Sequence, residues 1–436
     1  MGRRGMSRGT IFGGGFLPGD IPYPTDMSDK IKAQALKHAS GFITSTDQQY
    51  PLHKSLKHQA LSVPGSIKKN ETAIVDASML TGATVRVQAR IGQSDWLGQA
   101  FLRVTLAAAG ATNATFPYAG FNVIRSLRVL YGGEVLAEHT NYRAALKTWL
   151  RYLKPAQAEA VLSAMGTGTG VSNAATTVIV PLITPWGITD CESSDAQYWL
   201  PMASLRSNIT FEITFNPSVA IMTQVTPANL PVNAITACSL VYYEAAFTDG
   251  ETLDHTTPVM HLFRDLQSFQ PVKAGGAVTD QVFDTSSIVG NIESIHLYST
   301  SNVTQVVGMA VGEGGFAGPT AGDYATGTGV VFSRATLDGQ EYMRVGSASS
   351  AEASMDLAIH GFGRIHHDAT VGSERAPLIA FALHPKLDGY FGGYPTSEMR
   401  SMQVLVTTGA DACYEICSAS TAMLAIERGA LVRRRV

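Results

Sequence analysis

Val123–Tyr131 (VIRSLRVLY) runs into Gly132-Gly133 and returns as Glu134–His139 (EVLAEH). Two short apolar runs joined by two glycines predict a β-hairpin. A two-residue hairpin turn matches strand twist when both central residues take positive φ, which glycine adopts without steric cost. Directly after the hairpin the period changes. Leu146, Trp149, Leu150 and Leu153 recur every three to four residues, which predicts helix between Asn141 and Met165, interrupted at Pro155.

Working outward, the same hairpin-like grammar fills both halves of the chain. Thr84–Ala89 alternates as a half-buried strand does. Phe101–Ala107, Thr176–Ile183, Ile209–Phe215 and Ala237–Ala246 read as further strands. A Pro-containing, charged stretch from Thr248 to Pro258 separates this half from the next. Beyond it, Leu262–Phe269, Ile292–Tyr298, Val303–Val311, Val330–Ser333, Met355–Ile359, Leu378–Ala382, Met402–Thr407, Cys413–Ser418 and Met423–Ile426 read as short strands. Many short strands with turn residues between them predict β-sandwiches or barrels rather than a βαβ fold. Gly166–Asn173 and Gly312–Gly329 read as long surface loops. Residues 1–26 are irregular, Met27–Ala39 is expected to be a short helix, and 40–70 an extended arm.

The 436 residues hold 15% charged side chains, well under the usual quarter, and 42 glycines. That composition excludes a disordered chain or coiled coil, and no apolar run is long enough for a membrane-spanning helix. The net charge of −3 hides a division. Residues 1–70 carry ten basic and four acidic side chains, the last nine carry four arginines and no acid, and the body between holds 18 basic against 31 acidic. Basic ends on an acidic body suit contact with a polyanion such as nucleic acid or an anionic membrane face. No secretory signal heads the sequence, which predicts synthesis in the cytoplasm. Cys191, Cys238, Cys413 and Cys417 are too few for a disulfide scaffold and lack the spacing of a zinc site, so buried reduced thiols are expected.

Candidate chemistry is sparse. Gly166-Thr-Gly-Thr-Gly lacks the Lys-Ser/Thr ending of a phosphate loop. His366-His367-Asp368 places neighbouring imidazoles on opposite sides of an extended chain. Gly5-Met-Ser-Arg-Gly matches a nucleophile elbow in letters only, because it sits in an irregular tail. No catalytic set, cofactor site or metal site is expected, and the chain reads as a non-enzyme.

Three segments in order carry a resemblance. The first is the Ile124–Thr140 hairpin with the helical stretch after it. The second is Pro181-Leu-Ile-Thr-Pro-Trp186, then Trp199–Phe215. The third is Ala380-Phe-Ala-Leu-His-Pro385, Pro395–Val404 and Ala422–Leu431. Together they resemble the double jelly-roll major capsid proteins of nucleocytoplasmic large DNA viruses and related phages. Phe391–Ser397 and Ser420–Ile426 depart from the family's pattern, and 270–370 shows little of it.

The resemblance implies an all-β chain of two consecutive eight-stranded jelly rolls. The first (71–255) has a helical insertion, the second is 256–436, and 1–70 is an N-terminal arm. It implies a homotrimeric, pseudo-hexagonal capsomer of an icosahedral shell enclosing DNA. The partners implied are other copies of the chain, penton and minor capsid proteins, and an inner membrane or the packaged DNA. In the family both chain ends face the shell interior. Arg3, Arg4, Arg8, Lys30, Lys32, Lys37, Arg433, Arg434 and Arg435 are therefore the expected inward basic contacts. The competing readings are a carbohydrate-binding or adhesive β-sandwich, which would want exposed aromatics beside Asp/Asn clusters, and a β-sandwich hydrolase.

Overall fold

A computed structural model describes most of residues 64–247 and 259–435; residues 1–63, 248–258, 302–329 and shorter loop stretches lie outside the described residues. The expected helix at 27–39 and strand at 303–311 fall there.

The first half builds two facing sheets on eight principal strands. These are β1 (Pro64–Ala73), β2 (Thr84–Gln88), β3 (Trp96–Leu106), β4 (Ile124–Tyr131), β5 (Glu134–His139), β6 (Thr176–Pro181), β7 (Ile209–Phe215) and β8 (Ile235–Phe247). One sheet runs β1-β8-β3-β6 and the other β2-β7-β4-β5. All pairings are antiparallel. Between β5 and β6 lie α1 (Tyr142–Tyr152) and α2 (Pro155–Ala164). The predicted hairpin is β4–β5, with Gly132 and Gly133 at φ +55° and +96°. The helical run is interrupted before Pro155, as expected, and Pro155 opens α2, since a first-turn proline loses no helix hydrogen bond.

The second half repeats the plan. Its principal strands are β9 (Val259–Ser268), β10 (Val278–Asp284), β11 (Asn291–Ser301), β12 (Val330–Leu337), β13 (Gln340–Val345), β14 (Leu378–Ala380), β15 (Met402–Thr408) and β16 (Ala412–Glu427). One sheet runs β9-β16-β11-β14, the other β10-β15-β12-β13. This is the order of the first half, strand for strand, and it is the two-sheet jelly roll. β17 (Ala430–Arg435) then folds back on β16.

Alternation places the cores. In the first roll Ala100, Leu102 and Val104 of β3 face Phe211, Ile213 and Phe215 of β7, all buried. In the second, Ile295 and Leu297 of β11 meet Ala335, Val404 and Ile416.

Three expectations need correction. Residues 64–70 are not arm but the start of β1, paired with β8 through Phe247–Tyr242. Cys413–Ser418 and Met423–Ile426 form one strand, β16, because Ala419, Ser420 and Thr421 continue the ladder to β9. Met355 and Ile359 are helical, not extended. A five-residue window does not separate a period of 2 from one of 3.6.

Candidate functional site: the seam between the rolls

α1 is the joint of the molecule. Asn141 caps it: its Oδ1 accepts from the Ala144 amide at 3.3 Å, satisfying a first-turn donor. Every α1 residue is buried. One side packs on its own roll, where the buried Tyr142 hydroxyl donates to the Pro181 carbonyl and accepts from the Ile183 amide at 3.1 Å. In the same segment Trp186 is fully buried and its indole N–H donates to the Gly98 carbonyl at 3.2 Å. The Pro181–Trp186 motif therefore anchors the helix to the first roll.

The other side carries cations at a spacing of four, Arg143, Lys147 and Arg151, so they share one stripe. That stripe lies on the outward face of β9-β16-β11 in the second roll. Arg143 Nε donates to both oxygens of Glu415 at 2.9 and 3.1 Å, with Lys147 Nζ at 3.7 Å. Asn141 Nδ2 donates to the same carboxylate at 3.3 Å. Lys147 Nζ also stands 5.1 Å from the centre of the Tyr298 ring. Burial pushes the Glu415 carboxyl up, but Arg143, Lys147 and these hydrogen bonds outweigh it and hold it below the ordinary value of 4.5.

Further along, Arg151 Nη1 donates to His296 Nδ1 at 3.1 Å. The ring must then carry its proton on Nε2, which lies 3.0 Å from Ser294 Oγ. Tyr152 bonds the same serine hydroxyl at 2.9 Å, and Thr148 bonds Tyr298 at 2.8 Å. Arg264 pairs with Glu293 at 3.0 Å and lies over the Tyr152 ring. His139 Nδ1 donates to the Leu266 carbonyl at 2.9 Å. A single apolar cluster joins the first roll's core to Phe263, Tyr298, Cys417, Ala419 and Leu424 of the second.

The seam predicts acid sensitivity. Burial lowers His139 to about 4, and burial with Arg151 holds His296 well below 6.5. The fold keeps both rings neutral, so their full contribution is present above pH 6.5 and is lost as pH falls toward the folded values. For His139 alone the loss at pH 5 is about 2 kcal/mol. Thermal melts between pH 7.5 and 5 should show the fall, and His296→Gln should reduce its slope.

Of the expected basic contacts, Arg3, Arg4, Arg8, Lys30, Lys32 and Lys37 lie outside the described residues. Arg434 and Arg435 pair along their backbone with Met423 and Ala422 in β17. Arg433, expected as an inward basic contact, is also held within the second roll. Its guanidinium donates to Asp265, and the side chains are 16% and 2% exposed. A carboxylate that deep in the sheet demands a cation, and β17 delivers one. The buried seam residues of α1 went unrecognised at the sequence level; their one signal is the four-residue spacing of the cations. Cys238 and Cys417 are buried free thiols, each pushed up to about 12 by burial. Among the described residues no group of three or more His, Cys, Asp or Glu side chains is placed to hold a metal ion.

Comparisons with known proteins bear on this architecture. Residues 67–246 match the family model described as major capsid protein N-terminus. Curated protein sequences give no match. Among solved structures, a chain of the PBCV-1 virus capsid superposes with a TM-score of 0.61 at 12% identity, covering 85% of this chain and 97% of that one. A chain of the Sputnik virophage gives 0.54 at 10% identity over 85% and 89%. The Faustovirus major capsid protein gives 0.50 at 11% identity over 92% and 98%.

Proposed function

We propose that the chain is a double jelly-roll major capsid protein working as a homotrimeric capsomer of an icosahedral shell; the match of residues 67–246 to the major capsid protein N-terminus and the jelly-roll order of both halves support this reading. The observation that carries this is the identical strand order of the two halves, joined through α1. One chain supplies two nearly equivalent building blocks, so three chains supply six and outline a hexagon from one repeated contact set.

The proposed division is an N-terminal arm at 1–70 and rolls at 71–255 and 256–436, and the pairing of 64–70 within β1 supports an arm that joins the first roll at its end. In this reading Arg3, Arg4, Arg8, Lys30, Lys32 and Lys37 face the shell interior with Arg433, Arg434 and Arg435, toward packaged DNA or an inner membrane. Penton and minor capsid proteins are the further partners, the host cytoplasm the site of synthesis and the virion the destination. The acidic body between the basic ends supports an outward face of opposite sign.

Sizing with negative-stain microscopy tests the capsomer. The expected result is a particle of three 46.3 kDa chains with a hexagonal outline. A monomer that binds glycans would overturn it. Deleting residues 1–40 should leave the trimer intact and impair assembly or lining contacts; loss of the trimer would contradict the placement of the arm.

A further inference from the structure

One end of the first roll carries a cleft that the seam does not use. β7 begins between the ends of two neighbours. Thr210 pairs with Gln88, the last residue of β2, and Ile209 with Tyr131, the last of β4. Beyond these rungs lie the β4–β5 turn and residues 206–208. The Arg206 amide donates to the Tyr131 hydroxyl at 3.1 Å, which ties the two segments together. Between them is a cleft of about 450 Å³, open to solvent and lined by Gly132–Gly133, Arg206–Asn208, Gln88 and Thr210.

The lining is polar side chain or glycine, with no acid. Arg86 and Arg128 on the adjoining strands both pair with Glu212. Among the described residues no carboxylate pairs with Arg206, which is exposed. A Cβ on Gly132 would stand 3.4 Å from Ser207 Oγ, so glycine keeps that wall clear as well as allowing the positive φ. The central amides of such a turn are not spent on the ladder, and successive turn amides are recurrent partners of anions. The chain also enters the roll at this end. Ala245 of β8 pairs with both Ile67 of β1 and Trp96 of β3, and Pro201, shortly before Arg206, pairs with Trp96.

We propose that this cleft binds the phosphate ester of a small polyol. Arg206 and the turn amides take the phosphate; Gln88, Ser207, Asn208 and Thr210 take the hydroxyls. The planar fork of arginine matches phosphate oxygens, and short neutral side chains both donate and accept, as hydroxyl partners must. The volume falls within the span of small-molecule pockets, about 300–1,000 Å³. Duplex DNA fits less well, because it is gripped by many cations along its backbone and this cleft offers one. Such an ester is the headgroup of an anionic phospholipid or a free glycerol or sugar phosphate. The lipid source rests on the inward placement of this end in the capsomer; the chemistry of the cleft does not.

Calorimetric titration of the full chain with sn-glycerol 3-phosphate tests the cleft. Saturable binding is expected, weakened about tenfold or more by Arg206→Gln, the usual effect of losing a charge-assisted hydrogen bond. Ser207→Asp, which sets a carboxylate in the lining, should abolish it. Lys69→Gln, which removes a cation from β1 on the other sheet, should leave it unchanged. All three should keep the wild-type melt, since the three side chains are exposed. No saturable binding, binding indifferent to Arg206→Gln and Ser207→Asp, or equal loss with Lys69→Gln would overturn the proposal. So would a duplex oligonucleotide that displaces the ester and itself loses affinity with Arg206→Gln. Flotation with phosphatidylcholine vesicles, with and without phosphatidylglycerol, separates the sources. Reduced flotation of Arg206→Gln on the anionic vesicles upholds the lipid headgroup; equal flotation beside lost ester binding upholds the soluble ester. A monomer that binds the ester would overturn the capsomer and leave the cleft standing, and a trimer that binds none would do the reverse.

Discussion

Glu415→Ala is expected to destabilise the fold by about 3–5 kcal/mol, the usual effect of removing one partner from a buried charge pair. The carboxylate is 3% exposed and Arg143 9%, so neither charge is screened by water. Truncation leaves Arg143 and Lys147 buried without the anion they share, and Asn141 loses an acceptor. Because the pair bridges the rolls, the loss falls on their docking as well as on either sandwich. Chemical denaturation of wild type and variant measures it, and a change below about 1 kcal/mol would show the seam to be hydrated. A second signature follows from the lowered carboxyl. The pair's contribution is present above pH 4.5 and disappears as pH falls through the folded value, so the variant's deficit should shrink in acid. Replacing Glu415 and both cations together by apolar residues should recover part of the loss, since a packed apolar set carries no desolvation cost.

The second large effect is expected at the C-terminus. Arg433→Ala removes the cation paired with Asp265, at a cost of about 3 kcal/mol or more. Deleting residues 430–436 adds the loss of fully buried Leu431, about 2 kcal/mol further, and of the β16–β17 ladder. The measurement discriminates between roles. A tail arginine that only touches a polyanion would leave the melt of the isolated protein unchanged. A melt lowered by several degrees shows that Arg433 holds the second roll together, while Arg434→Ala and Arg435→Ala test the inward contact.

What the sequence showed depended on range. The β4–β5 hairpin was legible because its signal is local: two apolar runs and two glycines whose positive φ the structure confirms. The helical insertion was legible from Leu146, Trp149 and Leu150, but only as an amphipathic helix with one buried side. Its second buried side is the cationic one, and nothing near Arg143 in the chain announces Glu415. β16 read as two strands because Ala419-Ser-Thr-Ala422 lacks the large apolar residues of its flanks, yet Ala419, Ser420 and Thr421 keep the ladder to β9. The pairing of Arg433 with Asp265 was hidden for the same reason as that of Arg143. A cluster of terminal arginines has the composition of a solvated tail, and only the return of β17 along β16 reveals otherwise.

The position of α1 also sets an order of events. Arg143 meets its carboxylate 272 residues later in the chain, and Tyr298 and His296 are about 150 residues beyond the helix residues they bond. On a ribosome Arg151 can meet His296 once β11 is made, but Arg143 and Lys147 await Glu415 until β16, nearly the last strand, is made. Contacts of such separation close slowly, because loop entropy is lost before the contact repays it. Until the second roll is made, the apolar residues that α1 and the first roll share with it, such as Tyr298 and Leu424, are missing, and the nascent chain is expected to be most open to aggregation in that interval.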